Sequence, residues 1–353
     1  MPGSVNPPTD AEIRDSLVRQ AQSCASLGSP LYARLLDDIV ADFDARGTSY
    51  RLLHGRTERP VHDALPLRLL GAVHCLALSG RAPRVAARYP SCGGDGQDLP
   101  ITDFVDAIEN DADFVRTALG EQVQTNEVGR SIVPLSIAQW LGNRGFTEFD
   151  HLEVGASAGL NLNFDSYSAI TNSGRMGAAM SNIEFTADWF AAPPPIVAQS
   201  ACVVNRAGSD PHPIDVRDPD QALRLLSFVW PDQIDRIERL RLAIEVASRT
   251  PMSVVRASAD DFLVERLGEP LARTTVVFHS IVWQYLSPEV RTRVRDTIVA
   301  AGENASPNSP VVWARMEPAG PVADVRVDVM SHGTHEEHVL AEVGYHGRGL
   351  RWL

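Results

Sequence analysis

The stretch with most chemical content in this 353-residue chain is Glu153-Val-Gly155-Ala156-Ser157-Ala-Gly159-Leu-Asn161, which begins inside the apolar run HLEV at 151–154. Two mechanisms use such a pattern. As a glycine-rich strand-to-helix turn, Gly155 and Gly159 let the backbone pass close to a cofactor, and the helix N-terminus offers N–H groups to a polar ligand. As G-x-S-x-G it is a nucleophile elbow with Ser157 as the attacking serine, and the chain order Ser, Asp, His then points to Asp260 or Asp261 and His346 as partners. The local pattern serves both readings.

Other residues have the right type and place for chemistry. His279 lies near the end of the run TTVVFHSI (274–281), on the edge where open α/β sheets hold their ligands. It is a candidate general base, or a buried histidine bonded to backbone. Gln284 and Tyr285 follow closely and are candidates for a pocket wall, whereas Trp283 and Leu286 suit a core. The polar run Gln124-Thr-Asn126-Glu127-Val-Gly-Arg130 could hold a polar substrate, with Arg130 clamping a carboxylate, or form an interdomain salt-bridge and capping cluster. Asp232 and Gln233 suit a helix cap. His332, His335 and His338 lie in HGTHEEH, which is not H-E-x-x-H, and read as a solvated hairpin loop. Asp95 and Asp98 lack the length and closing Glu of a calcium loop. No metal is assigned.

These residues need elements to position them. Ser29-Pro30 opens a helix with Leu31, Leu35, Ile39 and Phe43 every four residues up to Gly47, and PLRLLGAVHCLALSG (66–80) reads as a helix packed on all sides. Phe104, Val105, Ile108, Val115 and Leu119 mark a further helix ending at Gly120. Residues 1–10 read as a disordered tail and 11–147 as an all-helical domain. From 148 onward, HLEV, ACVVN (201–205), MSVVRA (252–257), TTVVFHSI and VVWARM (311–316) read as buried parallel strands, with helices at 232–247 and 288–301 between them. VRVDVM (325–330) and HVLAEVGYH (338–346) alternate and read as a hairpin joined by SHGTHEE. That makes an α/β sheet of seven strands. The hydrolase elbow needs several strands before it, and the upstream region reads helical, so topology favours the glycine-turn reading.

Composition narrows the chemistry further. All 32 basic residues are Arg, which removes P-loop, protein-kinase and Schiff-base mechanisms, each of which needs a lysine. A net charge of −13 disfavours nucleic acid and anionic membranes. No apolar run reaches membrane-span length, and no secretory signal opens the chain, so a cytoplasmic location is expected. Cys24, Cys75, Cys92 and Cys202 are scattered, as expected of reduced thiols.

The strand count, the terminal antiparallel pair and the loop 153–159 resemble the class I S-adenosylmethionine-dependent methyltransferases, over about 150–353. Ser157 stands where that family has its middle Gly, and an insertion at about 164–200 separates the loop from the second strand. The resemblance implies a Rossmann-like seven-stranded sheet binding S-adenosylmethionine through Glu153, Gly155, Ala156, Ser157 and Gly159. It places the ribose acid at Asp210 or Asp215, the adenine-facing acid at Asp260 or Asp261, and Ser280 by the cofactor. His279 and Tyr285 would then be catalytic, and Asn126, Glu127, Arg130 and Gln284 would meet a small-molecule substrate under the helical cap, with a homodimer allowed. The alternatives are a serine esterase using Ser157, or a non-catalytic ligand-binding protein retaining the fold. Across nearly its whole length, in LPLRLLGAVH, QTNEVGR, LEVGASAGLNL, SFVWPDQ, FHSIVWQYL and GYHGRGLRWL, the chain also resembles an uncharacterised bacterial domain-of-unknown-function family.

Overall fold

Thr9 and Glu12 form a reciprocal capping box that starts the first helix of the computed structural model, which describes residues 9–57, 59–197, 199–251 and 254–353. The tail expected over 1–10 therefore lies, up to residue 8, outside the described residues. Among those described, helices α1 (Asp10–Ser26), α2 (Pro30–Asp44), α3 (Thr48–Leu53), α4 (Leu65–Leu78), α5 (Pro83–Ala86), α6 (Ile101–Asn110) and α7 (Ala112–Gly120) follow one another. The leucine row of α2 and the many-sided apolar surface of α4 are buried, as their spacing predicts. The single helix expected to end at Gly120 is two, because Asp111 leaves helical geometry (φ −128°, ψ 39°) and ion-pairs with Arg81.

The chain divides into two units: residues up to Thr125 with Arg217–Arg241, and Asn126–Val216 with Leu242–Leu353. This differs from a boundary at 147. Helix α8 (Ile132–Asn143) belongs to the second unit, with Leu135 against the strand turn at Gly177. The segment 217–241 belongs to the first. There, Phe228 fills the space that a side chain at Gly71 would need, and Trp230 joins the helical core. Asp232 does cap a helix, but a distant one: it accepts from the Ser29 hydroxyl (2.6 Å) and the Leu31 N–H (3.1 Å) at the start of α2. Helices α9 (Pro219–Ser227) and α10 (Ile234–Arg249) complete the run between strands.

The second unit is built on a mixed sheet. Its strands are β1 (Glu148–Val154), β5 (Phe190–Ala192), β6 (Cys202–Asp210), β7 (Val254–Arg256), β8 (Thr274–Ser280), β9 (Val311–Ala319), β10 (Val322–Ser331), β11 (Thr334–Val343) and β12 (Leu350–Trp352). Three short strands, β2 (Ser168–Thr171), β3 (Gly174–Gly177) and β4 (Glu184–Phe185), form a separate small sheet. The order in the large sheet is β5-β12-β11-β10-β9-β8-β1-β6-β7, so it has nine strands rather than seven. All seven expected strands are present, although residues 252–253 of MSVVRA fall outside the described residues. The two additions, β5 and β12, are only three residues each. The strand expected at 338–346 begins at Thr334, so only His332-Gly333 makes the turn from β10, while His335 and His338 lie in β11.

β7, β6, β1, β8 and β9 run parallel. Every residue of β8 is buried, as a central parallel strand requires. Helices α11 (Ala259–Leu267) and α12 (Pro288–Asn304) pack one face of this core through Phe262, Leu263, Val294 and Ile298, against Leu152, Val277 and Trp313. On the other face of β1, Phe149 and His151 meet Phe164. From β1 the chain passes first to β6 on one side and later to β8 on the other. The carboxyl ends of β1 and β8 therefore flank the topological switch point where open α/β sheets place ligands.

The expected strand-to-helix turn differs in its second half. The glycine loop leads into a short 3-10 run, Leu160–Ser166, instead of an α-helix. Side chains take the carbonyls that a helix would use. Tyr167 donates to Leu160 O (2.7 Å), Arg206 to Leu162 O (2.8 Å), and Asn163 to Gly159 O (3.4 Å). The insertion at 164–200 is structured, holding β2, β3, β4 and β5. Among the described residues no helix is long and apolar enough to cross a membrane.

Candidate functional site at the switch point

The loop after β1 is shaped by three left-handed residues, Gly155 (φ +71°), Ser157 (φ +54°) and Gly159 (φ +69°). The N–H groups of Gly155 and Ala156 both donate to Ser209 O (2.8 and 3.0 Å), folding the loop onto the end of β6. Ser157 keeps its strained backbone because its N–H donates to Asp210 Oδ2 (3.0 Å) and its carbonyl accepts from Ile214 (3.2 Å). Asp210, half-buried at the carboxyl end of β6, also accepts the N–H of His212 (2.8 Å). Asp215 lies exposed beyond it.

Glu153 is the most unusual group here. It is 2% exposed, its Oε2 has no hydrogen-bond partner, and burial pushes its pKa up to about 8. The Asp210 carboxylate acts in the same direction and the Arg130 guanidinium against it. The Ser157 Oγ is likewise buried without a partner. Two residues before Glu153 on the same strand face, His151 is buried among Phe149, Phe164 and Phe278 with neither ring nitrogen bonded, and burial lowers its pKa to about 3.

The polar run before β1 meets this loop. Asn126 Oδ1 accepts the Leu160 N–H (2.9 Å), Glu127 O accepts from Asn161 Nδ2 (3.3 Å), and the Ser131 hydroxyl donates to Asn161 Oδ1 (2.7 Å). Arg130 donates to Ser280 O at the end of β8 (3.2 Å) and to Tyr345 O (3.0 Å). His346, half-exposed, stands 3.2 Å from Glu127 Oε2. A side chain at Gly129 would strike His346 O, and one at Gly347 would strike Gly129 O, so the two segments are in backbone contact. Segments 126–131, 153–161 and 345–347 thus converge with the end of β8 at the switch point.

His279 stands on the other side of the sheet. Glu153 pairs with Phe278, and His279 pairs with Arg315, so the side chains of Glu153 and His279 project from opposite faces. Trp313 Nε1–H donates to His279 Nε2 (3.1 Å). An indole can only donate, so the imidazole proton sits on Nδ1, which donates to Glu317 Oε1 (2.6 Å). The same oxygen accepts the N–H groups of Val282 (3.1 Å) and Trp283 (3.3 Å). Glu317 therefore clamps the loop after β8, where Ile281 is held at φ +54°, an uncommon conformation for a β-branched residue. Val282 of this loop occupies the space above Gly155: a Cβ there would lie 2.5 Å from Val282 Cγ2. The close approach that Gly155 permits is to this side chain.

Several candidates are placed elsewhere. Asp260 is buried and ion-paired with Arg293 (2.5 Å), which also holds exposed Asp261 (3.1 Å). Neither bonds to Ser157 Oγ, nor does His346. Gln284 and Tyr285 are exposed, Tyr285 at 69%. Among the described residues no group of three or more His, Cys, Asp and Glu side chains is arranged to hold a metal.

Sequence reading missed Glu317, Trp313 and the depth of His151. The i, i+2 spacing of His151 and Glu153 on a buried strand was the available signal for two polar groups on one face, whereas nothing local ties Glu317 to His279, 38 residues away. No curated protein matches the chain. A family model matches residues 14–352, and the chain belongs to that family, described as an uncharacterised protein conserved in bacteria (DUF2332).

Proposed function

We propose that the chain is an S-adenosylmethionine-dependent methyltransferase acting on a small molecule. The observation that supports this most is the parallel order β7-β6-β1-β8-β9, with the glycine loop and an acid, Asp210, at the adjoining carboxyl ends of β1 and β6. That order supports the reading, because a Rossmann-like core would place its cofactor at these carboxyl ends. Beyond β9 the sheet continues as the antiparallel meander β10-β11-β12.

The fit of the cofactor is uneven. Glu153 Oε2 and Ser157 Oγ are buried polar atoms without partners at the loop, which a polar ligand would satisfy. Asp260 and Asp261 are committed to Arg293, so the adenine side rests on other groups. Residues Glu153–Gly159 and Asp210 would hold the cofactor once Val282 withdraws from Gly155, with the strained Ile281 as the position that relaxes. The sulfonium supplies an already activated methyl group, so the chain's tasks are binding, orientation and water exclusion. His279, with both nitrogens engaged, serves this reading as a positioning residue through Glu317. An acceptor arriving with a free lone pair needs no base.

Calorimetric titration of the full chain with S-adenosylmethionine and S-adenosylhomocysteine tests the proposal. Saturable one-to-one binding, weakened about tenfold or more in Asp210→Ala by loss of a charge-assisted hydrogen bond, is expected. Absence of heat at millimolar ligand would end it.

A further inference from the structure

The face of the sheet opposite Glu153 carries a second feature, away from the glycine loop. Between the middle of α12 and strands β8 to β11, a cavity of about 360 Å³ opens. That is within the size range of small-molecule sites. His279, Trp283 and Glu317 line its head, Trp313 and Arg315 its floor, and Arg295 of α12 its wall. Its geometry follows from the sheet topology. β10 and β11 form a meander, so no crossover helix is laid over them beside α12.

Three observations agree on the ligand chemistry. Trp283 and Trp313 stand with ring centroids 5.6 Å apart at 52°, an angled aromatic corner, and such faces attract cations. Arg315 already uses this property, with its guanidinium 4.4 Å from the Trp313 ring centre. Carboxylates outnumber guanidinium groups around the cavity, since Arg315 is neutralised by a two-pronged pair with Asp328 (2.8 and 3.2 Å), leaving Glu317 and Glu337 against Arg295, with His335 4.0 Å from Glu337. Finally, Glu317 spends one oxygen on three donors, and its Oε2 is buried without any. A carboxylate in the cavity lining with one uncompensated oxygen favours a positive charge.

We propose that this cavity binds a small organic ammonium ion, with its apolar part against Trp283 and Trp313 and its charge towards Glu317. The site is independent of the methyltransferase reading and would remain if that reading failed.

The test titrates the full chain with phenethylamine, 2-phenylethanol and 3-phenylpropionate, which share an aromatic group and differ in charge, and follows binding by calorimetry. The ammonium should bind about tenfold or more tighter than either analogue. Glu317→Gln keeps an oxygen for the three donors but replaces the orphan oxygen with an N–H₂ group, so it should reduce ammonium affinity to that of the alcohol. Should that variant fail to fold, as judged by its melting curve, Trp283→Leu at a half-exposed position should weaken the ammonium by a similar factor. Equal affinity for the three compounds, ammonium binding unchanged in either folded variant, or no binding of phenethylamine, tetramethylammonium or agmatine at 10-millimolar order would overturn the proposal.

Discussion

Glu153→Gln changes one buried oxygen to nitrogen and carries a specific energetic signature. The carboxyl titrates near its ordinary 4.5 when unfolded and at about 8 in the folded protein. Between those values the folded state binds more protons than the unfolded state, so this group makes stability fall as pH rises from about 4.5 to 8. A shift of that size, at ~1.4 kcal/mol per pKa unit, is worth about 3 kcal/mol between pH 5 and pH 8. Glutamine cannot titrate. Relative to wild type, the variant should therefore gain about 3 kcal/mol over that range, whatever offset its amide introduces at pH 5. Denaturant unfolding at half-unit steps from pH 5 to 8.5 measures the difference, and infrared difference spectra should show a protonated carboxyl in wild type at pH 7 that is missing from the variant. Parallel stability curves for the two proteins would mean instead that Glu153 is ionised and compensated in the folded state.

Gly155→Ala should cost about 2–4 kcal/mol, combining a left-handed backbone with a Cβ set 2.5 Å from Val282 Cγ2. Val282→Ala in the same chain should recover part of that loss in a double-mutant cycle, whereas strict additivity would deny the contact. Asp232→Ala should destabilise by about 1–2 kcal/mol by uncapping α2, read from denaturant midpoints, and no change would mean that Ser29 and water suffice. His74 is buried between Ser227 O and the Ser91 hydroxyl, and burial lowers its pKa from 6.5 to about 4. The unfolded state binds its proton first, so His74 makes stability fall as pH drops from 6.5 to 4, by up to about 3 kcal/mol. His74→Gln should flatten that part of the pH profile.

Much of this architecture was legible because periodicity reports which side of an element is buried. The α2 leucines, the all-round apolar α4 and the seven strand cores all follow from it. β5 and β12 were not legible, since three-residue strands such as FAA and LRW carry no periodic signal and owe their pairing to tertiary context. The α-helix expected after Gly159 failed because Asn161, Asn163 and Asp165 sit in a segment whose carbonyls are claimed by Tyr167 and Arg206. At the switch point, Glu153 and the glycine loop were singled out from the strand end and the 126–130 run from its polar density, while Asp210, with Asp215, was named through the methyltransferase resemblance. What sequence could not show was that Gly155 makes room for Val282, or that His279 is saturated by Trp313 and Glu317. Both facts depend on loops and strands brought together by the sheet order.

In the proposed function, the loop 153–159 and Asp210 form a nucleoside-cofactor site that Val282 covers. A crystal structure of the full chain grown with saturating S-adenosylhomocysteine tests it directly. Expected are ligand density along the carboxyl ends of β1 and β6, ribose hydroxyls on Asp210, and Val282 displaced from Gly155 with Ile281 out of the left-handed region. Density confined to another part of the molecule, or Val282 still seated on Gly155 with no ligand beside it, would contradict the claim.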